Sequence, residues 1–343
     1  MSLARRLEAR ILKRLLALVR EDSSPNLNAL NDVTKNVRII ELNLKAFGYD
    51  LARKLAAALP PPGPTTARVI GLASKPCTQA DIESDWCAHW TSELRTGRVY
   101  HRKLWELAYV LQALHEHGML ADGRKGVGFG CGAEPIPSYL ASRGVRVLAT
   151  DVADADAREK GWATTGQHLG TRAHHPQLVD RDTYERLVDV HTVDMNAIPP
   201  DLGGHDFCWS ICALEHLGSI AHGLAFIEAS LGTLRPGGLA VHTLEYNIEN
   251  DGPTLDNWIT VLFQRRHIEA LARRLEAQGH KVAVLDFDHG SQLMDRFIDL
   301  PPWAFDDPTG GAGLPGEPHH LKLAIDGFIS TSFGIIVTKG EGQ

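Results

Sequence analysis

Residues 126–151 read GVGFGCGAEPIPSYLASRGVRVLATD. Gly128, Gly130 and Gly132 fall where an apolar run gives way to a helix-like segment, and Asp151 closes the apolar run that follows. Glycine permits a tight turn and lets backbone approach a ligand where a Cβ would stand in the way. Asp151 comes 21 residues after Gly130, the spacing at which an open α/β sheet presents a carboxylate to ribose hydroxyls. A tight turn and a helix cap explain each piece separately but not their joint placement, which points to a nucleoside-bearing cofactor. Gly128, Gly130 and Ala133 also satisfy a dinucleotide fingerprint, so the loop by itself leaves NAD open.

Outward from this stretch, apolar runs at 125–130, 145–150, 188–193, 205–211, 238–245, 281–287 and 327–338 read as strands. Helical stretches such as LAFIEASLGTL and RRHIEALARRLEAQG separate most of them. The alternation predicts an α/β fold with a Rossmann-like, doubly wound, mostly parallel seven-stranded sheet. The last two runs flank DLPPWAFDDPTGGAGLPGEP, which has no place for a helix, so the C-terminal strand is expected to be antiparallel.

Upstream, the turn-rich EDSSPNLNALND separates two helices, the second of which, VRIIELNLKAFGYDLARKLAAAL, stops at PPPGP. The expected organisation is an N-terminal helical extension over 1–66, a helical lid or cap over 67–120 and a cofactor-binding domain over 121–343, with an irregular insertion at 288–325. Residues 2–20 are Arg-rich and amphipathic, but lack the Ser enrichment and cleavage region of a transit peptide. Leu3, Leu7, Ile11, Leu15 and Leu18 keep helical spacing, as expected of a helix packing on its own protein or joining a homodimer.

A chain of 343 residues with 43% hydrophobic and 22% charged residues is long enough to bury a sizeable core. Its net charge of −7 argues against nucleic acid as the main ligand, since phosphate binding rests on clustered Lys and Arg. No apolar run approaches the ~20 residues of a membrane span. The five cysteines form no C-x-x-C pair, which suits reduced thiols in a cytoplasmic protein, and no metal site is expected.

The segments beyond the loop narrow the choice of cofactor. VDMNAIP offers Asp194 and Met195, an acid and an apolar side chain suited to an adenine edge and face. DFCWSICALEHLGS follows, then LRPGGLAVH. With these segments, the chain from about residue 120 to 343 resembles the class I S-adenosylmethionine-dependent methyltransferases. Its HRKLWE, GFGCGAEP, DMNAIP, CALEHLGS and HLKL segments further resemble a bacterial subgroup of that family.

The resemblance implies S-adenosyl-L-methionine as cofactor, bound by Gly128, Gly130, Gly132, Asp151, Val152, Asp194, Met195 and Ser210. Two positions depart from the family pattern. Gly128 stands where an acid is common, and Glu134 where a further glycine is common; Glu134 could instead meet the cofactor's ammonium. His216 is the expected general base, with Glu215 as the spare. Trp86, His101, Arg102 and Trp105, with Trp90 and Glu106 among them, are expected to shape an acceptor site together with Glu245 and Tyr246, and FIDLPPW and HHLKL to supply its opposite wall. Arg102 and Glu106 could equally pair along one helix face.

The leading expectation is O-methylation of a small-molecule or sugar-like acceptor. Transfer or cyclisation of the cofactor's aminobutyrate chain, a non-catalytic cofactor-binding scaffold and an NAD-dependent oxidoreductase stand as alternatives.

Overall fold

The computed structural model describes residues 12–13, 16–19, 24–60, 65–153, 174–249, 252–301 and 319–342. Most of the amphipathic stretch 2–20 and the centre of the insertion at 288–325 lie outside the described residues. The N-terminal part contains α1 (Leu27–Ala58), β1 (Lys75–Pro76), α2 (Gln79–Glu83), α3 (Asp85–Glu93) and α4 (Arg102–Glu116). Then come β2 (Lys125–Phe129), α5 (Ile136–Ser142), β3 (Arg146–Asp151), α6 (Arg181–Leu187), β4 (Val188–Thr192), β5 (His205–Ile211), α7 (Ile220–Ser230) and β6 (Leu234–Asn247). The C-terminal part adds α8 (Arg265–Ala277), β7 (Lys281–Val282), α9 (Leu293–Arg296), β8 (Ile298–Asp299), β9 (Lys322–Ile325) and β10 (Phe328–Thr338).

The sheet runs β4-β3-β2-β5-β6-β10, with β4 to β6 mutually parallel and β10 antiparallel to β6. The chain leaves β2 towards β3 and β4, then returns to its other side at β5. The strand order therefore reverses at β2, and the crevice beyond the carboxyl ends of β2 and β5 is where open α/β sheets bind ligands.

The sixth of the expected strands differs from expectation. Only Lys281 and Val282 of the apolar run 281–287 pair as a strand. The outer edge of β10 is instead patched by three short antiparallel pieces, β9, β1 and β7. Ser74 bridges Leu285 beside them, so a segment from far upstream completes the sheet edge. The turn expected over EDSSPNLNALND is also shorter than anticipated, because α1 already starts at Leu27. Asn26 immediately before it is a residue type favoured at helix starts, which outweighs the turn-forming Asn and Asp residues inside.

Alternate residues of β5 face opposite sides of the sheet. Phe207 and Trp209 join Trp90, Trp105, Tyr109 and Ile336 in one core cluster, so the 67–120 segment is built into the same core as the sheet. Cys208 falls in the opposite cluster with Phe129, Phe226, Leu244, Tyr246 and Phe333. On α1, Val37, Ile40, Leu44 and Phe47 are exposed at three- and four-residue spacing, Phe47 by 73%. No described helix is long and apolar enough to cross a membrane.

Candidate active site

The crevice at the strand reversal opens as a cleft of about 640 Å³, within the usual size of small-ligand sites. Gly130, Gly132, Glu134, Asp151, Val152, Asp194 and Met195 line it from the β2–β4 side. Glu215, His216, Glu245, His101 and Arg102 line it from the side of β5, β6 and α4. These twelve positions, singled out in the sequence, are thus brought to one cleft.

Asp151 ends β3 and is fixed from two directions. Its Oδ2 accepts the Gly132 N–H at 3.2 Å, and its Oδ1 accepts the Val152 N–H at 2.8 Å. The loop closes on the strand through Cys131 N–H to Thr150 O at 3.0 Å. Gly130 has φ +61°, and a Cβ there would meet the Ala213 Cβ at 2.7 Å, so both its conformation and its surroundings favour glycine. Asp194 receives the Asn196 N–H at 2.8 Å and stands exposed beside buried Met195.

Gly128, Ser210, Trp86, Trp105 and Tyr246 do not line the cleft, each for a packing reason. Gly128 lies under Trp209, and an added Cβ would be 2.4 Å from Cζ2 of that ring. Ser210 is buried on the other face of β5, bonded to His242 Nδ1 at 2.8 Å. Trp86 packs against the first core cluster. Trp105 is fully buried, donates to Asp81 Oδ2 at 2.9 Å and stacks on Tyr109. Tyr246 is buried between Phe287 and Phe333.

A buried charge network lies beneath the cleft on the side of β6 and α4. Arg102 Nη1 lies 2.5 Å from Glu245 Oε1 and 3.5 Å from Glu106, which also pairs with Lys103 at 3.0 Å. Burial pushes the Glu106 carboxyl up, but Lys103 and Arg102 overcome this and hold it below its ordinary value. Ser332 donates to Glu106 and Ser330 donates to Glu245. Pairing of this kind is what lets charges survive out of water. The sequence offered Arg102 and Glu106 as a helix pair, but gave no sign that Glu245, Ser330 and Ser332 would join them.

In two further acids burial outweighs the compensation. Burial raises Glu215 to about 8, and Glu245 nearby adds to the effect; its Oε2 is buried without a hydrogen-bond partner. Burial likewise raises Glu134 to about 8, although Trp209 Nε1 donates to it at 2.6 Å. Lys103 lowers both without overcoming burial, which favours the protonated acid near neutral pH.

Cys212 has φ +44°, a strained conformation for a non-glycine residue. Its sulfur and the Glu215 and Glu245 carboxylates come within 4.8 Å of one another. Arg102 Nη1, 3.6 Å from the Cys212 sulfur and paired with Glu245, already supplies a fixed cation to this trio, which disfavours a metal ion there.

His216 is half-buried, with Nδ1 2.9 Å from the Ile259 carbonyl, and burial lowers its pKa. With the proton on Nδ1 donated to that carbonyl, the Nε2 lone pair is the basic position. FIDLPPW and HHLKL, expected to supply the opposite wall, contribute His320, whose ring lies 4.8 Å from His101 on the cleft wall, and Asp299 behind it, although the sequence gave neither residue a role of its own.

No family model and no curated protein matches the sequence. Among solved structures, similarity is found to a protein assigned as a sarcosine dimethylglycine methyltransferase from Galdieria sulphuraria. The identity is 14%, covering 70% of this chain and 85% of that one, with a TM-score of 0.42. A phosphoethanolamine N-methyltransferase 2 from Haemonchus contortus, in complex with S-adenosyl-L-methionine, is 13% identical. That match covers 67% of this chain and 52% of that one, with a TM-score of 0.40. An S-adenosylmethionine-dependent methyltransferase from Mesorhizobium loti is 12% identical, with 66% and 96% covered and a TM-score of 0.38.

Proposed function

We propose that the chain is an S-adenosylmethionine-dependent methyltransferase acting on a hydroxyl of a small-molecule or sugar-like acceptor. The observation that carries this reading is the fixed Asp151 carboxylate beside the Gly130–Gly132 turn, at the strand reversal and on a cleft of ligand size. A ribose with two free hydroxyls suits that carboxylate, and Asp194 with Met195 suits an adenine. Glu134, neutral until a cation approaches, suits the ammonium of a methionine tail.

The bound cofactor would supply an electrophilic methyl carbon on a positively charged sulfur. The chain's task is then to hold the acceptor in line, keep water out and receive a proton. The buried Arg102–Glu245 pair gives the acceptor side a rigid floor. His216, kept neutral by burial, is the base that the sequence nominates, with Glu215 beside it. A net charge of −7 favours a small acceptor over nucleic acid, and five free cysteines fit a cytoplasmic protein. The exposed apolar stripe on α1 supports a homodimer through the N-terminal helices.

Cofactor labelled separately in its methyl and aminobutyrate portions tests the reading across a panel of hydroxyl acceptors. Methyl label in the product, with S-adenosylhomocysteine released, is the expected result. Aminobutyrate label in the product, with methylthioadenosine released, would replace the proposal by the aminobutyrate chemistry.

A further inference from the structure

His101 is the N-cap of α4, and its Nδ1 accepts the Lys103 N–H at 3.1 Å. An imidazole that accepts at one nitrogen carries its proton on the other when neutral. His101 is neutral, because burial, with His320 and Arg102 adding to it, pushes its pKa well down. Its Nε2 is therefore an N–H donor, and it is buried with no hydrogen-bond partner. A buried donor of this kind is costly unless something meets it.

The facing ring has the opposite polarity. His320 Nδ1 lies 2.7 Å from Asp299 Oδ2 and donates to it, which puts the lone pair on Nε2. Asp299 is itself held by two residues of α1: Lys45 Nζ at 2.6 Å on Oδ1 and Tyr49 OH at 2.8 Å on Oδ2. All four side chains are nearly or fully buried. Lys45 already neutralises the carboxylate, so the Asp299–His320 contact does not require a charged imidazole. Burial lowers the His320 pKa despite the pull of Asp299, with Arg102 and Lys45 acting in the same direction as burial.

The two rings lie 4.8 Å apart on the cleft wall, one offering a donor and the other an acceptor. A hydroxyl group is the small group that satisfies both at once. Leu107, Ile211, Leu323 and Ile325 also line the cleft, so an apolar or aromatic body can accompany the hydroxyl.

We infer that His101 and His320 together form the acceptor-hydroxyl site, with His320 the general base, Asp299 its positioning residue and His101 the donor that holds the oxygen. This rests on the methyltransferase reading. In the transfer, the acceptor O–H bond breaks and its proton goes to His320 Nε2. The oxygen uses its electron pair to bond the methyl carbon, and the methyl–sulfur bond breaks with its electrons left on sulfur. The positive charge thus passes from sulfur to the imidazole, where Asp299 stabilises it. The sequence nominates His216 for this step, but the ring backed by a buried carboxylate is His320.

The test has an arm that needs no cofactor. Long-range proton–nitrogen NMR on the ligand-free full chain at about pH 7.5 reads imidazole tautomers directly. The expected result is the proton on Nε2 for His101 and on Nδ1 for His320. A proton on Nε2 of His320, or a doubly protonated His320, overturns the inference.

The second arm uses phenol against anisole, which has the same ring but no hydroxyl proton, titrated into protein saturated with S-adenosylhomocysteine. Phenol is expected to bind roughly tenfold more tightly, the scale of one net hydrogen bond. That preference should vanish in His320→Phe and persist in His191→Ala, an exposed position outside the cleft. His320→Gln serves if the Phe variant does not fold, and is expected to keep the preference while abolishing transfer. Equal binding of phenol and anisole, no binding of either, or a preference unchanged in His320→Phe overturns the assignment. Failure of S-adenosylhomocysteine to bind would remove the cofactor reading, whereas the tautomer result stands independently of it.

Discussion

Trp209 donates its indole N–H to Glu134 across 2.6 Å while its ring covers Gly128. One side chain on β5 thereby links β2 to the segment between the glycine loop and α5. Gly128, which reads as a cofactor contact in the sequence, is the space that admits this indole. Glu134, the residue proposed to meet a methionine tail, is instead the partner of that indole, and its burial raises its pKa to about 8.

Gly128→Ala should therefore act on stability. The new methyl meets both the Trp209 ring and the Cys131 sulfur at 2.4 Å, an overpacking that costs about 1–3 kcal/mol. Urea denaturation should show a lowered midpoint, while the folded variant keeps most of its affinity for S-adenosylhomocysteine. Unchanged stability with lost affinity would put Gly128 back on the ligand.

Glu215 gives stability a pH dependence of known sign. Its folded pKa is raised to about 8 from 4.5, so between those values the native chain holds a proton that the unfolded chain has released. Its contribution is fully present below the unfolded pKa and is lost as pH rises through about 8. Glu215→Gln should remove this slope, at most ~1.4 kcal/mol per pH unit. The difference in unfolding free energy between variant and wild type should grow as pH rises from 5 to 8, on the order of that slope per unit. A difference that stays constant across the range would contradict the protonated state.

The apolar stripe on α1 carries a prediction about assembly. Val37, Ile40, Leu44 and Phe47 follow the three-four spacing of a helix–helix seam and are 46–73% exposed. Sedimentation velocity should find a dimer for the wild type and a monomer for the Ile40→Glu, Phe47→Glu double variant. A wild-type monomer would remove the dimer.

The central strands were legible because burial on both faces favours apolar residues, as at Val127, Phe129, Phe207 and Trp209. The edge of β10 was not, because Lys75–Pro76 and Lys281–Val282 are too short to show any period. On the cofactor side, Gly130 and Asp151 were legible through their fixed spacing within one βαβ unit. The acceptor side depends on contacts between distant segments: Lys45 and Tyr49 meet Asp299 across about 250 residues. No local spacing encodes such a meeting. Trp105 and Tyr246 were drawn into the expected site by their residue type, although aromatic side chains bury more readily than they bind.

Calorimetry on the folded full chain tests the central claim most directly, titrating S-adenosylhomocysteine and NAD separately into the wild type and Asp151→Ala. The expected result is uptake of one S-adenosylhomocysteine per chain and none of NAD. Asp151→Ala should weaken that binding by about 1–3 kcal/mol, the scale of a lost charge-assisted hydrogen bond. No binding of S-adenosylhomocysteine by folded protein, or an affinity indifferent to Asp151, would contradict the claim that this cleft holds an adenosyl sulfonium cofactor through its ribose.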